Sequence, residues 1–188
     1  MLKQLEEFGK YVEIAGFRDV KITDLRGLLE TLNDEKPMQV DVQFFDAALI
    51  ATWEHLYFAV LNALVAFRSK RNISKSVAVE TLLYASAQNQ IQKATRLLGV
   101  KPSSLDIAVL IVGEQFELIR SVLSTISKNV GGPRDDGVLE LSQEKFEAIR
   151  RFFRISENQL RAVGRRGSLE RALVDLVIEQ VALVAVQN

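Results

Sequence analysis

Twenty-one residues from Ala47 to Phe67 carry only Thr52, Glu54, His55 and Asn62 as conspicuous polar groups, and this run constrains the fold more than any other. It is long enough to cross a bilayer or to thread the centre of a water-soluble domain. The second reading is the cheaper one. An ionised Glu54 near a span's centre costs about 2.5–3.5 kcal/mol on insertion scales, and no aromatic belt brackets the segment. A buried central helix from about Ala47 to Ser69 is therefore expected, and no membrane partner.

The rest of the chain supports one compact domain over residues 1–188. Its 188 residues hold 24 Lys and Arg against 24 Asp and Glu, with 48% hydrophobic residues, which is too apolar and too balanced for a disordered tail. There is no cysteine and a single histidine, so disulfides, thiolate metal clusters, thiol catalysis and multi-histidine sites are excluded. The reducing cytoplasm is the expected compartment, and Met1 to Lys10 lacks the apolar core of a secretory signal.

Periodicity predicts an α+β (α/β) order of about four strands and seven helices. Tyr11, Val12, Ile14, Ala15 and Phe17 read as a short strand, and Leu25, Leu28, Leu29 and Leu32 as a helix stripe capped by Asp24. Val40, Val42 and Phe44 alternate as a second strand. Beyond the central helix, Ser74 is placed to cap a helix reaching about Ser86, and another carries Ile91, Ala94, Thr95 and Leu98 before Gly99. Leu105 to Val112, rich in Ile, Val and Leu, predicts a strand buried on both faces. A helix over Glu114 to Ser127 follows, then a loop over Asn129 to Gly137, an edge strand at Val138 to Leu141, and closing helices at Ser142–Phe153, Ser156–Val163 and Ser168–Val186.

The residues available for catalysis are few. Gly131-Gly132-Pro133 lacks the Lys-Ser/Thr of a phosphate loop. His55 and Glu54 are adjacent on a helix, about 100° apart, and cannot form a dyad with each other. Asp135-Asp136-Gly137 is ordinary turn chemistry without the further oxygens a calcium loop needs. No catalytic residue, metal, cofactor or small-molecule substrate is expected.

Charge is unevenly spread along the chain. Six basic and ten acidic residues leave residues 1–46 at −4, whereas Arg68, Lys70, Arg71, Lys75, Lys93, Arg96 and Lys101 against Glu54 and Glu80 leave 47–104 at +5. The remainder is −1. Lys70, Arg71 and Lys75 straddle a helix–helix junction, and Gln88, Gln92 and Arg96 share a stripe with Asn89 and Lys93 beside it. With Tyr84 as a stacking ring, this surface suits a short single-stranded nucleic acid as well as plain solvent. In the last helix, Leu169, Leu173, Leu176, Val177, Ile178, Val181, Leu183 and Val184 exceed one apolar face, so it is either surrounded by its own domain or shared with a partner, and the second reading gains weight for Ile178, Leu183 and Val184.

A family resemblance draws these observations together. His55-Leu56 through Ala66-Phe67, Asn72-Ile73-Ser74-Lys75, Glu80 to Tyr84, Gln90-Ile91, Ala94, Leu98-Gly99-Val100, Ile107 to Val112 and Leu176 to Leu183 resemble the family of the p53-related-protein-kinase-binding protein, the small accessory subunit of the KEOPS complex. The resemblance spans roughly residues 38 to 186. It implies a single domain with a small mixed sheet flanked by helices. It also implies a noncatalytic subunit that binds the KEOPS kinase/ATPase subunit and the tRNA 3′ CCA end, supporting threonylcarbamoyladenosine formation at tRNA position 37. The implied kinase-binding residues are Leu176, Ile178, Glu179, Ala182 and Leu183. The candidate tRNA-binding residues are Lys70, Arg71, Asn72, Ile73, Lys75, Tyr84, Gln88, Asn89 and Gln90. Where relatives often carry Gly-x-Arg-Gln-Ile, this chain has Ala87-Gln88-Asn89-Gln90-Ile91, so the arginine contact is missing. The alternative is a helix-turn-helix-like DNA-binding regulator, using the helix pair within Ser74 to Leu98 and a second basic cluster of Arg150, Arg151, Arg154, Arg161, Arg165 and Arg166.

Overall fold

The computed structural model describes residues 1–21, 40–164 and 168–186. The helix expected around Leu25 to Leu32 lies outside the described residues, as do Arg165 and Arg166. Four strands form one sheet in the order β1-β2-β4-β3: β1 (Leu2–Leu5), β2 (Lys10–Phe17), β3 (Val40–Asp46) and β4 (Ile107–Gly113). Seven α-helices are described: α1 (Trp53–Arg68), α2 (Val77–Ala85), α3 (Ile91–Leu98), α4 (Phe116–Asn129), α5 (Gln143–Phe152), α6 (Glu157–Gly164) and α7 (Leu169–Leu183). The α+β class holds. The three strand pairings are all antiparallel, where the resemblance implied a mixed sheet.

The sheet divides its side chains by the two-residue period of a strand. Ala108, Leu110 and Val112 of β4 join Val12, Ile14 and Phe45 in a core roofed by α1 and α2. Ile107, Val109 and Ile111 point the other way, meeting Ala15, Phe17 and Phe44 under α4. A third cluster, built on Ile149, Phe153, Leu160, Leu173 and Val177, binds α5, α6 and α7 to the rest. The apolar run at 47–67 is thus a core segment. Asp46 caps a short 3₁₀ turn over Ala47–Leu49 by accepting from the Ala48 N–H at 3.1 Å, and an extended Thr52 delays α1 until Trp53. No described helix is long and apolar enough to cross a membrane.

Two expectations about local structure need correction. Val138 to Leu141 is not an edge strand, because Asp135 accepts from the Gly137 N–H at 2.8 Å and winds Asp136–Leu139 into a 3₁₀ turn. That turn packs onto β2 at Gly16, where a Cβ would lie 2.5 Å from the Val138 side chain, so glycine is required there. The outer edge of β2 is instead taken by β1. The second correction is at the start of α2: Ser76, not Ser74, precedes its first residue.

Three helices end in the same way. After α1, the N–H groups of Lys70 and Arg71 bond the carbonyls of Phe67 and Ala66; after α2, those of Ala87 and Gln88 bond Tyr84 and Leu83; after α5, those of Arg154 and Ile155 bond Arg151 and Arg150. These are Schellman closures, which place a left-handed residue just past the helix. Glycine usually fills that position, yet here it holds Lys70, Ala87 and Arg154 at φ of 57°, 51° and 54°.

His55 is fully buried on α1 and is satisfied as a neutral ring. Its Nδ1 accepts from the Ala51 N–H at 3.3 Å, its Nε2 donates to the Ala85 carbonyl at 2.8 Å, and its edge meets the Phe153 ring. Burial lowers its pKa to about 4. The unfolded chain takes up this proton near pH 6.5 and the folded chain does not, so stability falls as pH drops from 6.5 toward 4. The expected loss is roughly 3 kcal/mol over that window. Urea unfolding at pH 7 and pH 4.5 measures it, and His55→Gln should flatten that dependence while costing stability at pH 7. At neutral pH, Lys70→Gly should stabilise the fold by about 1 kcal/mol in urea unfolding, since an exposed left-handed residue costs about 1–2 kcal/mol that glycine avoids.

Candidate nucleic-acid and partner interfaces

The loop from Ser69 to Ser76 joins α1 to α2, and a buried carboxylate shapes it. Glu80, fully buried on α2, accepts from the Ile73 N–H at 3.0 and 3.2 Å and from the Ser74 N–H at 2.7 Å. The Asn72 amide donates to the Ser74 carbonyl at 2.8 Å, and Ser76 Oγ donates to Asp41 on β3 at 2.7 Å. With its backbone held from inside, the loop turns Lys70, Arg71 and Lys75 into solvent and leaves Ile73 41% exposed. The geometry offers three cations around one apolar side chain.

The other predicted contacts lie at the far end of α2. The turn after it holds Ser86 buried, and Gln88 donates its side-chain amide to the Ser86 carbonyl at 3.1 Å, while Asn89 and Gln90 are exposed. Nine helical residues at 1.5 Å each put about 13 Å between the two groups, which therefore form two patches rather than one surface. Tyr84 belongs to neither. Its ring is 3% exposed and sits in the core beneath α1, so it cannot serve as a stacking platform, and burial raises its phenol pKa. Its place on α2 faces inward because Leu82, Leu83 and Ala85 are also buried, which leaves that short helix almost no solvent face.

The C-terminal helix is split along its length. Ser168 caps it by accepting from the Arg171 N–H at 3.2 Å, and Arg171 ties its first turns to α1 through Glu54 at 2.7 Å. Leu173, Leu176, Val177 and Val181 are buried, and Gln180 donates to the Phe153 carbonyl at 2.8 Å. Glu179, Ala182 and Leu183 face solvent, with Leu183 45% exposed. Of the predicted partner-binding residues, Leu176 is therefore core, Ile178 is half-buried in the third cluster, and only the last turn is free. Val184, expected to need outside cover, is already buried by the domain itself.

Sequence reasoning missed the groove beside that turn. A depression of about 290 Å³ is lined by Ala87, Gln159, Leu176, Glu179, Gln180, Leu183 and Val184, joining α7 to α6 and to the turn after α2. Its walls come from three distant stretches of chain, so no local pattern could disclose it. Glu80 was open to detection as the acid inside the apolar stretch from Val77 to Ala85. Asp135 is bound to Arg18 at 2.6 Å and Asp136 to Arg134 at 3.0 Å, and these pairings hold both carboxyls below their ordinary range. Both aspartates are committed to the turn that packs on β2. Among the described residues no cluster of three or more potential metal ligands occurs.

Comparison with known proteins bears on these two surfaces. A family model described as "Kinase binding protein CGI-121" matches residues 17–185. The "Regulatory protein Cgi121" of Methanocaldococcus jannaschii is 32% identical over 146 residues, covering 78% of this chain and 84% of that protein. On both grounds, the chain belongs to the CGI-121 family of kinase-binding proteins.

Proposed function

We propose that this chain is the noncatalytic subunit of a KEOPS-type complex, docking the kinase/ATPase subunit through the last turn of α7 and holding the single-stranded CCA end of tRNA at the two ends of α2. In that role it supports formation of threonylcarbamoyladenosine in tRNA without contributing a reacting group. The observation that carries the reading is the exposed Leu183 beside a groove at the end of α7, in a chain of a kinase-binding family. An exposed apolar side chain beside a groove is surface that a partner's apolar group can cover. A DNA-binding regulator would instead hold duplex DNA and copurify with no kinase.

For the tRNA end, Lys70, Arg71 and Lys75 are suited to phosphates, and Asn72, Ile73, Gln88, Asn89 and Gln90 to unstacked bases. The two patches accommodate a strand that crosses from one end of α2 to the other. Because its three cations are exposed, binding is expected to be strongly salt-dependent.

Two experiments test the two halves separately. Leu183→Glu should abolish copurification with the kinase while circular dichroism and the melting temperature stay near those of the parent, since a charge forced into an apolar contact costs several kcal/mol. Ile178 is less suitable because it already packs in the third core cluster. Retained kinase binding by folded Leu183→Glu would move the interface elsewhere.

Lys75→Glu should weaken tRNA binding and reduce the slope of log affinity against log salt by about 0.7, the single-strand value for one phosphate contact. Trimming CCA from the tRNA should reproduce much of that loss in a fluorescence anisotropy titration. Equal affinity for intact and trimmed tRNA would remove the 3′-end assignment.

A further inference from the structure

The central helix α1 is apolar on nearly every side, the pattern of a helix covered all round. Its inward face places Leu56, Val60 and Ala63 in the first core cluster, yet its outward face carries Phe58 at 37% exposure and Val65 at 45%, with Leu61 half-buried between them. These three belong to a longer series. Glu54, Phe58, Leu61, Val65 and Arg68 recur at alternating steps of four and three residues, the spacing of a coiled-coil seam, over about 21 Å of helix.

Reversed, the seam is its own complement. When a second copy is laid antiparallel about a two-fold axis at Leu61, Glu54 faces Arg68 of that copy, Phe58 faces Val65, and Leu61 meets Leu61. A parallel pairing would instead set Glu54 against Glu54 and Arg68 against Arg68. We propose that the free chain forms a homodimer through this seam, with the two α1 helices packed antiparallel across the two-fold axis.

Both charged ends have capacity for the contact. Glu54 is partly exposed and engages Arg171 at 2.7 Å through Oε2, while Arg68, mostly exposed, lies over the Phe8 ring and reaches Glu7 at 3.6 Å. A guanidinium has five N–H groups, enough to serve Glu7 and a second carboxylate together. The apolar middle is ordered before any partner arrives. Phe58 stands edge-on to Tyr57 at 5.7 Å between ring centroids, and Tyr57 packs on Trp53 at 5.8 Å, so pairing costs little side-chain freedom.

The test is sedimentation velocity on the full chain from about 1 μM to about 100 μM, a range that brackets a micromolar Kd. The expected result is a species of twice the chain mass. Val65→Glu, at an exposed position, should weaken dimerisation by about tenfold or more while the melting temperature stays near that of the parent. Arg68→Glu is the second variant and should weaken it through like-charge contacts at both ends of the seam. Mixing Arg68→Glu chains with Glu54→Arg chains should restore a dimer, because each then meets the opposite charge in the other. Orientation is read with single cysteines, since the chain has none of its own. A short bismaleimide should join Leu61→Cys copies across the axis and leave Arg68→Cys copies, held about 21 Å apart, unjoined. A monomer throughout the concentration range overturns the proposal, as does a dimer that survives both Val65→Glu and Arg68→Glu, or equal joining of the two cysteine variants.

Discussion

The fold depends on a strand with no face left for water. Every residue of β4 is buried, so both of its edges must be paired and both of its faces roofed. β2 and β3 occupy the edges in antiparallel register, with Val12 opposite Val112 and Phe44 opposite Val109. Each fully buried Val, Leu or Ile side chain contributes about 1.5–3 kcal/mol on transfer from water, so the five on this strand supply a gross term on the order of 10 kcal/mol. The α1–α2 layer on one face and α4 on the other follow from that requirement, and they decide which helices are left with a free surface. α2 is nearly consumed by the core. Its two ends and the last turn of α7 are among the described surfaces left exposed.

Inside that packing, buried polar side chains are few among the described residues, and two of them fix backbone. Glu80 and His55 are both fully buried, and both bond to backbone groups. The Glu80 carboxylate gathers two consecutive N–H groups that would otherwise point into an apolar layer unpaired, which fixes the path of the loop carrying Asn72 to Lys75. Removing it would strand those donors at a cost of about 1–3 kcal/mol each. His55 fastens the C-terminal end of α2 to α1 and lies against Phe153, whose carbonyl is in turn held by Gln180 of α7. One buried ring thus links the helix that carries Leu183 to the turn that carries Gln88 to Gln90.

How much of this was legible in the sequence depended on whether the deciding contact was local. β4 was readable because six consecutive Ile, Ala, Val and Leu residues between turn signals suit a strand covered on both sides. The central helix was readable from its length, although its start was not, since the Asp46 cap and the extended Thr52 are invisible to hydropathy. β1 was missed because Leu2 to Leu5 earns its place by pairing with Glu13 to Lys10 rather than by burying an alternating face. Val138 to Leu141 looked like a strand because its apolar residues face Gly16, and that contact bridges more than a hundred residues. At the candidate interfaces, the exposed cations were identified correctly as exposed, and Tyr84 failed because burial of α2 is set by two layers that no window of its own sequence contains.

The left-handed helix ends bear on the same surfaces from another direction. A Schellman closure is best served by glycine, yet Lys70 closes α1 at the cationic loop and Ala87 closes α2 at the wall of the α7 groove. Glycine at 70 would relieve about 1–2 kcal/mol of backbone strain and delete a charge from the basic patch. Glycine at 87 would relieve a similar amount and remove the methyl group that lines the groove. Lys70 is exposed, whereas the Ala87 methyl also packs against the first and third core clusters, so glycine at 87 would give up part of what it relieved. The same left-handed closure at Arg154, a residue assigned to neither candidate surface, shows that the strain follows from how these helices end and does not by itself mark an interface.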